Sequence, residues 1–260
     1  MYRNIRVKNF RSEKIDIARG ISILAMVFYH FCWDLGEFGI LDSAQINSGG
    51  WRLFAQLIGS TFLFISGLSF WLYYRFGRSK QKFFYRVVKL IVASLFVSFG
   101  TAFAYGDYFV FFGILHLLAF CTLFATIICR LPVIWLLILT VFVGFAANYI
   151  SFESFSSRFF AWTGLYEGYI GTVDFYPFFP WASPYILGLV FGKILYGRNF
   201  EDSEETEIKF KNVNNRYYEH TNLGKALKGV LIFLSSYSLY IYLIHQPILF
   251  GGIIVFLKYF

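Results

Sequence analysis

The chain has 260 residues, of which 58% are hydrophobic, 23% are aromatic and only 15% are charged, with a mean hydropathy of +0.59. This composition is typical of a protein whose surface is largely in contact with lipid, and it is more apolar than an ordinary soluble domain requires. The three cysteines form no CxxC pair and are odd in number, which excludes a disulfide framework and a CxxC redox motif.

Apolar segments long enough to cross about 30 Å of hydrocarbon, at about 1.5 Å per residue, follow one another along the chain. They are residues 15–33, 51–76, 87–105, 108–129, 132–150, 181–195 and 238–260. Each is expected to be helical, because backbone polar groups in lipid must be satisfied within the segment. The predicted fold is all-α, a polytopic membrane helix bundle with about seven transmembrane helices in a single domain, 1–260.

The connections between these segments differ in character. The short "YGDY" at residues 105–108 indicates a helical hairpin between the third and fourth spans. Residues 198–226, which include the acidic "EDSEETE", indicate a solvated cytosolic loop. The apolar stretch 227–234 is more typical of an interfacial helix than of a span, so an eighth span stays open. The N-terminal segment resembles a signal peptide but lacks an A-x-A-like cleavage site, and we interpret it as a retained first span.

Basic residues are distributed very unevenly between the two sides of this predicted topology. With a cytoplasmic N-terminus, 20 of the 23 lysines and arginines fall in or beside cytoplasmic segments. The positive-inside rule therefore predicts an N-terminus inside and a C-terminus outside. The same distribution accounts for most of the net charge of +8 without nucleic acid as a partner.

The first span, "IDIARGISILAMVFYHFCWDL", contains polar groups that are costly in lipid and therefore point to function. Arg19 and His30 are eleven residues apart, which is about three helical turns, so they share one face about 16 Å apart along the axis. Asp34 lies four residues after His30, within reach of a hydrogen bond to its imidazole. The structural alternative is that Arg19 pairs with Asp16 and that His30 makes one interhelical hydrogen bond.

Two more histidines lie in apolar spans. His116, in "FFGILHLLAF", is predicted about 12 Å along the helix axis from residue 108, and His245 lies beside Pro247 in the last span. Three histidines on separate spans predict a shared polar cavity. Asp174 lies among aromatic residues and prolines just before the sixth span, where the alternative interpretation is an interfacial aromatic belt.

Four motifs occur in order: "DIARG" followed by His30 and Asp34, then "FFGILHLL", "DFYPFFPW" and "YLIHQP". In this order they resemble the transmembrane acetyltransferases related to heparan-α-glucosaminide N-acetyltransferase, and in particular their small prokaryotic members. "FISGLSFWL" at residues 64–72 also resembles the second span of that family. The spacing of Arg19 and His30 is similar to that in the wider transmembrane acyltransferase superfamily.

This resemblance implies the transfer of an acetyl (acyl) group from cytosolic acyl-CoA to an amine or hydroxyl of a glycan or lipid-linked sugar on the outer side. It implies that His30 is the general base or a transient acyl carrier, oriented by Asp34. Arg19 would hold the CoA phosphates, helped by basic loop residues. The remaining assignments are these: Arg75, Arg78, Lys82 and Arg86 for the phosphates, and His116, Asp174, His245 and Gln246 for the acceptor pocket.

The expected partners are acyl-CoA, the sugar acceptor and membrane lipid, and the expected location is the bacterial cytoplasmic membrane. No metal is expected. A homodimer would suit a membrane enzyme of this size, although no motif argues for it. One alternative is a transporter or proton-coupled carrier, although no inverted repeat or second pair of broken helices is visible. Another is a metal site formed by His30, His116 and His245, although no HExxH or close ligand pair supports it.

Overall fold

The computed structural model describes residues 12–76, 79–150, 158–166, 168–197 and 222–259. Within these ranges the chain is all-helical, as predicted, with three short 3₁₀ helices and one isolated parallel bridge between Phe112 and Phe175. The α-helices are α1 (Glu13–Glu37), α2 (Ser43–Ile46), α3 (Gly49–Arg75), α4 (Lys80–Tyr105), α5 (Ile114–Ile128), α6 (Val133–Phe145), α7 (Phe178–Gly197), α8 (Asn222–Ser236) and α9 (Ser238–Tyr259).

Five of the described helices are long and apolar enough to cross a membrane, namely α1, α3, α4, α7 and α9. Helices α5 and α6, at the fourth and fifth predicted segments, are apolar but have only 15 and 13 residues. At about 1.5 Å per residue they cover about 20 Å, less than the hydrocarbon thickness of about 30 Å. The chain is thus a multi-pass membrane protein, and the count of seven spans stays a prediction.

The connection between α4 and α5 is longer than the predicted tight turn. Residues 109–113 are extended instead of helical, because they are bonded to a later segment of the chain: the Val173 N–H donates to the Tyr108 carbonyl (3.0 Å), and the Tyr176 N–H donates to the Phe112 carbonyl (2.9 Å). Helix α5 therefore begins at Ile114 and not at residue 108. His116 consequently lies in the first turn of α5, and the prediction of a continuous helix from residue 108 to His116 was wrong.

The chain divides into two compact units. Of the described residues, those between 63 and 197 form the central unit, and those between 12 and 62 and between 222 and 259 form the terminal unit. Helices α4 to α7 belong to the central unit, whereas α1, α2, α8 and α9 belong to the terminal unit. Helix α3 contributes its first part to the terminal unit and its second part to the central unit.

Two glycines allow α3 and α7 to approach closely within the central unit. A Cβ atom on Gly67 would collide with the Tyr185 carbonyl oxygen, and one on Gly188 would collide with the Phe64 carbonyl oxygen. Gly192, one turn after Gly188, faces the Trp71 side chain. Small residues spaced in this way are the usual means by which membrane helices pack backbone against backbone.

Replacing Gly188 with alanine is expected to destabilise the protein by about 1–3 kcal/mol, because the new methyl group meets backbone that cannot rotate away. Gly100→Ala on α4 is the matched control, since a Cβ atom there meets no atom within 4 Å. The measurement is the thermal midpoint of each variant in detergent. Equal midpoints for Gly188→Ala and Gly100→Ala would refute the close approach.

In the terminal unit, α8 and then α9 run alongside α1 in the same direction. Lys228 pairs with Glu13 near the start of α1 (2.6 Å), a Cβ atom on Gly20 would collide with the Leu231 carbonyl, and the Phe38 ring packs on Phe250 just after α1 ends. Helix α8 contains the predicted interfacial stretch 227–234 and begins at Asn222, inside the predicted loop 198–226. The rest of that loop, residues 198–221, lies outside the described residues.

Candidate active site

A polar cluster surrounds Arg19 where α8 packs on α1. The Arg19 guanidinium lies 3.3 Å from Asp16 Oδ1 and donates a hydrogen bond to Ser235 Oγ (3.3 Å). The Ser235 hydroxyl in turn donates to Asp16 Oδ1 (2.9 Å), and both Asp16 and Ser235 are buried. The pairing of Arg19 with Asp16, which the sequence offered as the structural alternative, is therefore present and is reinforced by a residue of α8.

His30 meets a second histidine where α9 packs on α1. The rings of His30 and His245 have centroids 4.9 Å apart and planes inclined by 62°. His245 Nδ1 lies 2.7 Å from the Tyr242 carbonyl, which can only accept, so Nδ1 carries the proton and Nε2 carries a lone pair. Two of the three histidines predicted to share a cavity are thus brought together by α1 and α9.

The two rings differ in their hydrogen bonding. His245 is buried, and its Nε2 has no hydrogen-bond partner among the described residues. His30 is half-buried, and neither of its ring nitrogens makes a hydrogen bond to the described part of the chain. His30 is therefore the ring whose nitrogens remain available to a reacting group.

Asp34, four residues beyond His30, is fully buried and accepts a hydrogen bond at Oδ1 from Gln246 Nε2. This bond joins α1 to α9 one residue after the His245 contact. The hydrogen bond expected between Asp34 and His30 is not formed within the described residues; the carboxyl group is bonded to Gln246 at Oδ1 instead. The sequence placed Gln246 in the pocket but contained no signal for its partner.

His116 belongs to the central unit and has both ring nitrogens engaged. The Gly113 N–H donates to Nδ1 (3.3 Å), and Nε2 lies 3.2 Å from Ser98 Oγ. Because the Ser98 hydroxyl already donates to the Val110 carbonyl (2.7 Å), it accepts from His116, whose proton is then on Nε2. These bonds fix the start of α5 on α4, and a direct role of His116 at the acceptor stays a prediction.

Asp174 also stabilises the start of α5. Its Oδ2 accepts a hydrogen bond from the Ile114 N–H (3.2 Å), one of the amide groups that an isolated helix leaves unpaired at its N-terminus. Gly113 permits this contact, since a Cβ atom there would collide with the carboxylate. The Thr172 hydroxyl adds a bond to the Phe109 carbonyl (2.7 Å). The segment around Asp174 is thereby held on residues 108–114.

The basic residues assigned to CoA phosphates lie around the connection between α3 and α4. Arg75 and Lys82 are exposed, and Arg86 is half-buried. Arg78 lies outside the described residues. Their phosphate-binding role stays a prediction.

In the described ranges, no three or more His, Cys, Asp or Glu side chains are arranged to hold a metal ion. The three-histidine alternative requires a free nitrogen on His116, and both of its ring nitrogens are used within the central unit.

Comparison with known protein families identifies a match over most of the chain. The model of the family described as "Heparan-alpha-glucosaminide N-acetyltransferase, catalytic" matches residues 11–247. No curated protein and no solved structure matches the chain significantly. The matched region includes all four motifs that carried the resemblance as well as Arg19, His30, Asp34, His245 and Gln246.

Proposed function

Because the chain belongs to the heparan-alpha-glucosaminide N-acetyltransferase catalytic family, and is a multi-pass membrane acetyltransferase, we propose that it moves an acetyl group across the membrane. The proposed donor is acetyl-CoA, or another acyl-CoA, on the cytosolic side. The proposed acceptor is an amine or hydroxyl of a glycan or lipid-linked sugar on the outer side. The proposed location is the bacterial cytoplasmic membrane.

The observation that carries this proposal is the His30–His245 pair. His30 is half-buried, has no hydrogen bond within the described residues, and packs 4.9 Å from a buried histidine whose Nε2 is an acceptor without a donor. A neutral imidazole in this position can accept a proton from an attacking amine or hydroxyl. His245, the other described imidazole of the terminal unit, is buried, so His30 is the more exposed base of the pair.

In the proposed reaction, His30 is the only residue that has to accept and return a proton. The acceptor nitrogen or oxygen forms a bond to the carbonyl carbon of the thioester and gives its proton to His30. The carbon–sulfur bond breaks, and CoA leaves as a thiolate that takes the proton back from His30. The alternative route transfers the acetyl group first to His30 and then to the acceptor.

The proposed donor path follows α1. Eleven residues separate Arg19 from His30, about 16 Å along the helix, and both side chains are directed towards the α8–α9 side. An arginine at the inner end suits phosphate groups, and His30 then meets the thioester at the far end of the pantetheine arm. The exposed basic residues after α3 add a positive surface that attracts the anionic donor.

The remaining predicted residues take supporting roles in this proposal. Asp34 and Gln246 join α1 to α9 beside the histidine pair and act as positioning residues. His116 and Asp174 are assigned to the acceptor side as residues that fix the loop before α5. The common direction of α1 and α9 supports placing the two termini on opposite sides of the membrane, as the positive-inside rule predicts.

The experiment is thiol release from acetyl-CoA by protein reconstituted in vesicles. We expect thioester cleavage when acetyl-CoA is supplied to the face that carries the basic loops, and none when it is confined to the opposite face. Protease accessibility of residues 198–221 reports the orientation of the protein in each preparation. Binding of neither CoA nor acetyl-CoA, with no thiol release from either face, would refute the proposed function.

A further inference from the structure

Asp34 is an unusual carboxyl group. It is fully buried, and no lysine or arginine among the described residues lies within ion-pair distance of it. Its own helix carries Cys32 and Glu37 close by in sequence, and Asp42 lies at the start of α2. His30 and His245 form the ring pair beside it, and α9 carries Lys258 twelve residues after Gln246. Lys228 on α8 is paired with Glu13 at the other end of α1. A buried, unpaired carboxylate costs several kcal/mol, so this environment favours a neutral group.

The contact with Gln246 also favours a neutral carboxyl group on Asp34. A carboxylic acid and a primary amide complement each other with two hydrogen bonds, one from the amide N–H to the acid carbonyl and one from the acid O–H to the amide carbonyl. The first of these is present, from Gln246 Nε2 to Asp34 Oδ1. The atoms that the second would join, Asp34 Oδ2 and Gln246 Oε1, are both buried without a hydrogen-bond partner in the described chain.

We propose that Asp34 is held as a neutral carboxylic acid at neutral pH and that the Asp34–Gln246 pair is a latch between α1 and α9. A single proton on Asp34 supplies the donor that both oxygens lack, and an ionised carboxylate supplies none. By joining the two helices next to His30 and His245, the latch keeps the two imidazoles in contact. Asp34 is then a positioning residue, and it places no negative charge near the reacting atoms.

The direct test is infrared spectroscopy of the purified protein in lipid at neutral pH. An aspartate in water ionises near pH 4, so a protonated carboxyl band at pH 7 identifies a shielded acid. We expect this band in the wild type and in Asp42→Asn, which changes an exposed aspartate that caps α2. We expect the band to be lost in Asp34→Asn and shifted in Gln246→Leu. If no band at pH 7 depends on Asp34, the proposal is wrong.

The second test compares substitutions of Asp34. Asparagine keeps a carbonyl oxygen and an N–H donor, so Asp34→Asn can form both bonds to Gln246 and is expected to keep the thermal midpoint of the wild type. Asp34→Leu cannot form either bond and is expected to lower the midpoint. A large loss of stability in both variants would show that the negative charge is needed and would overturn the proposal.

Only the rate measurement rests on the proposed function. If the protein transfers acetyl groups, Asp34→Asn is expected to transfer faster than Asp34→Leu, because only asparagine can keep the bonds that hold α1 on α9 beside the histidine pair. A loss of transfer with normal stability would assign a charged role to Asp34 and contradict the proposal. If no variant transfers acetyl groups, the infrared band and the thermal midpoints still decide the protonation of Asp34.

Discussion

Replacing His30 with alanine is expected to reduce acetyl transfer by about 10²–10⁴-fold, the range that follows the loss of a general base. The physical reason is that the acceptor proton must leave as the new bond forms, and His30 is the half-buried imidazole without a hydrogen bond in the described terminal unit. The dissociation constant of CoA should change little, because the imidazole acts on the acetyl end of the donor. The measurements are the rate of thiol release and CoA binding by calorimetry.

His220→Ala is the matched control for this experiment. It removes the remaining histidine of the chain, which lies in the predicted cytosolic loop and has no assigned role. Transfer by His30→Ala at the rate of His220→Ala would contradict the assignment. Acid-quenched reactions with labelled acetyl-CoA separate the two routes, since label retained on the wild type and lost with His30→Ala indicates an acetyl-histidine intermediate.

Replacing Arg19 with glutamine is expected to have the largest effect on stability. It removes the 3.3 Å ion pair of the buried Asp16 side chain, which keeps its hydrogen bond from Ser235. Removing one partner of a buried pair typically costs about 3–5 kcal/mol, and we expect the lower end because the Arg19 side chain retains 20% exposure. The thermal midpoint in detergent measures this loss.

The double variant Arg19→Gln with Asp16→Asn separates the structural role of Arg19 from binding of the donor. Neutralising Asp16 removes the unpaired charge, so the double variant is expected to regain much of the stability lost by Arg19→Gln alone. CoA binding should stay weak in both, because neither carries the guanidinium. Wild-type affinity for CoA in the double variant would mean that Arg19 only stabilises the packing of α1 on α8 and does not bind the donor.

The sequence by itself determined the features that depend on composition and on local periodicity. The lipid-like composition and the long apolar segments predicted an all-α membrane protein, which the described helices confirm. Four short motifs in order predicted the family, which the match over residues 11–247 confirms. Arg19 and His30 could be placed on one face, because eleven residues of a helix make about three turns whatever packs against it.

Only the tertiary structure decided which distant residues meet. Ser235 completes the Arg19 cluster and Gln246 engages Asp34, and these partners are separated by more than 200 positions along the chain. The late start of α5 likewise depends on hydrogen bonds between residues 108–112 and 173–176. Periodicity fixes the faces of one helix, but how far a neighbouring helix slides and rotates against it depends on packing, such as the close approach of Gly20 to Leu231. For that reason the sequence predicted His30 as a reactive group, whereas the contact between Asp34 and Gln246 beside it became visible only in the fold.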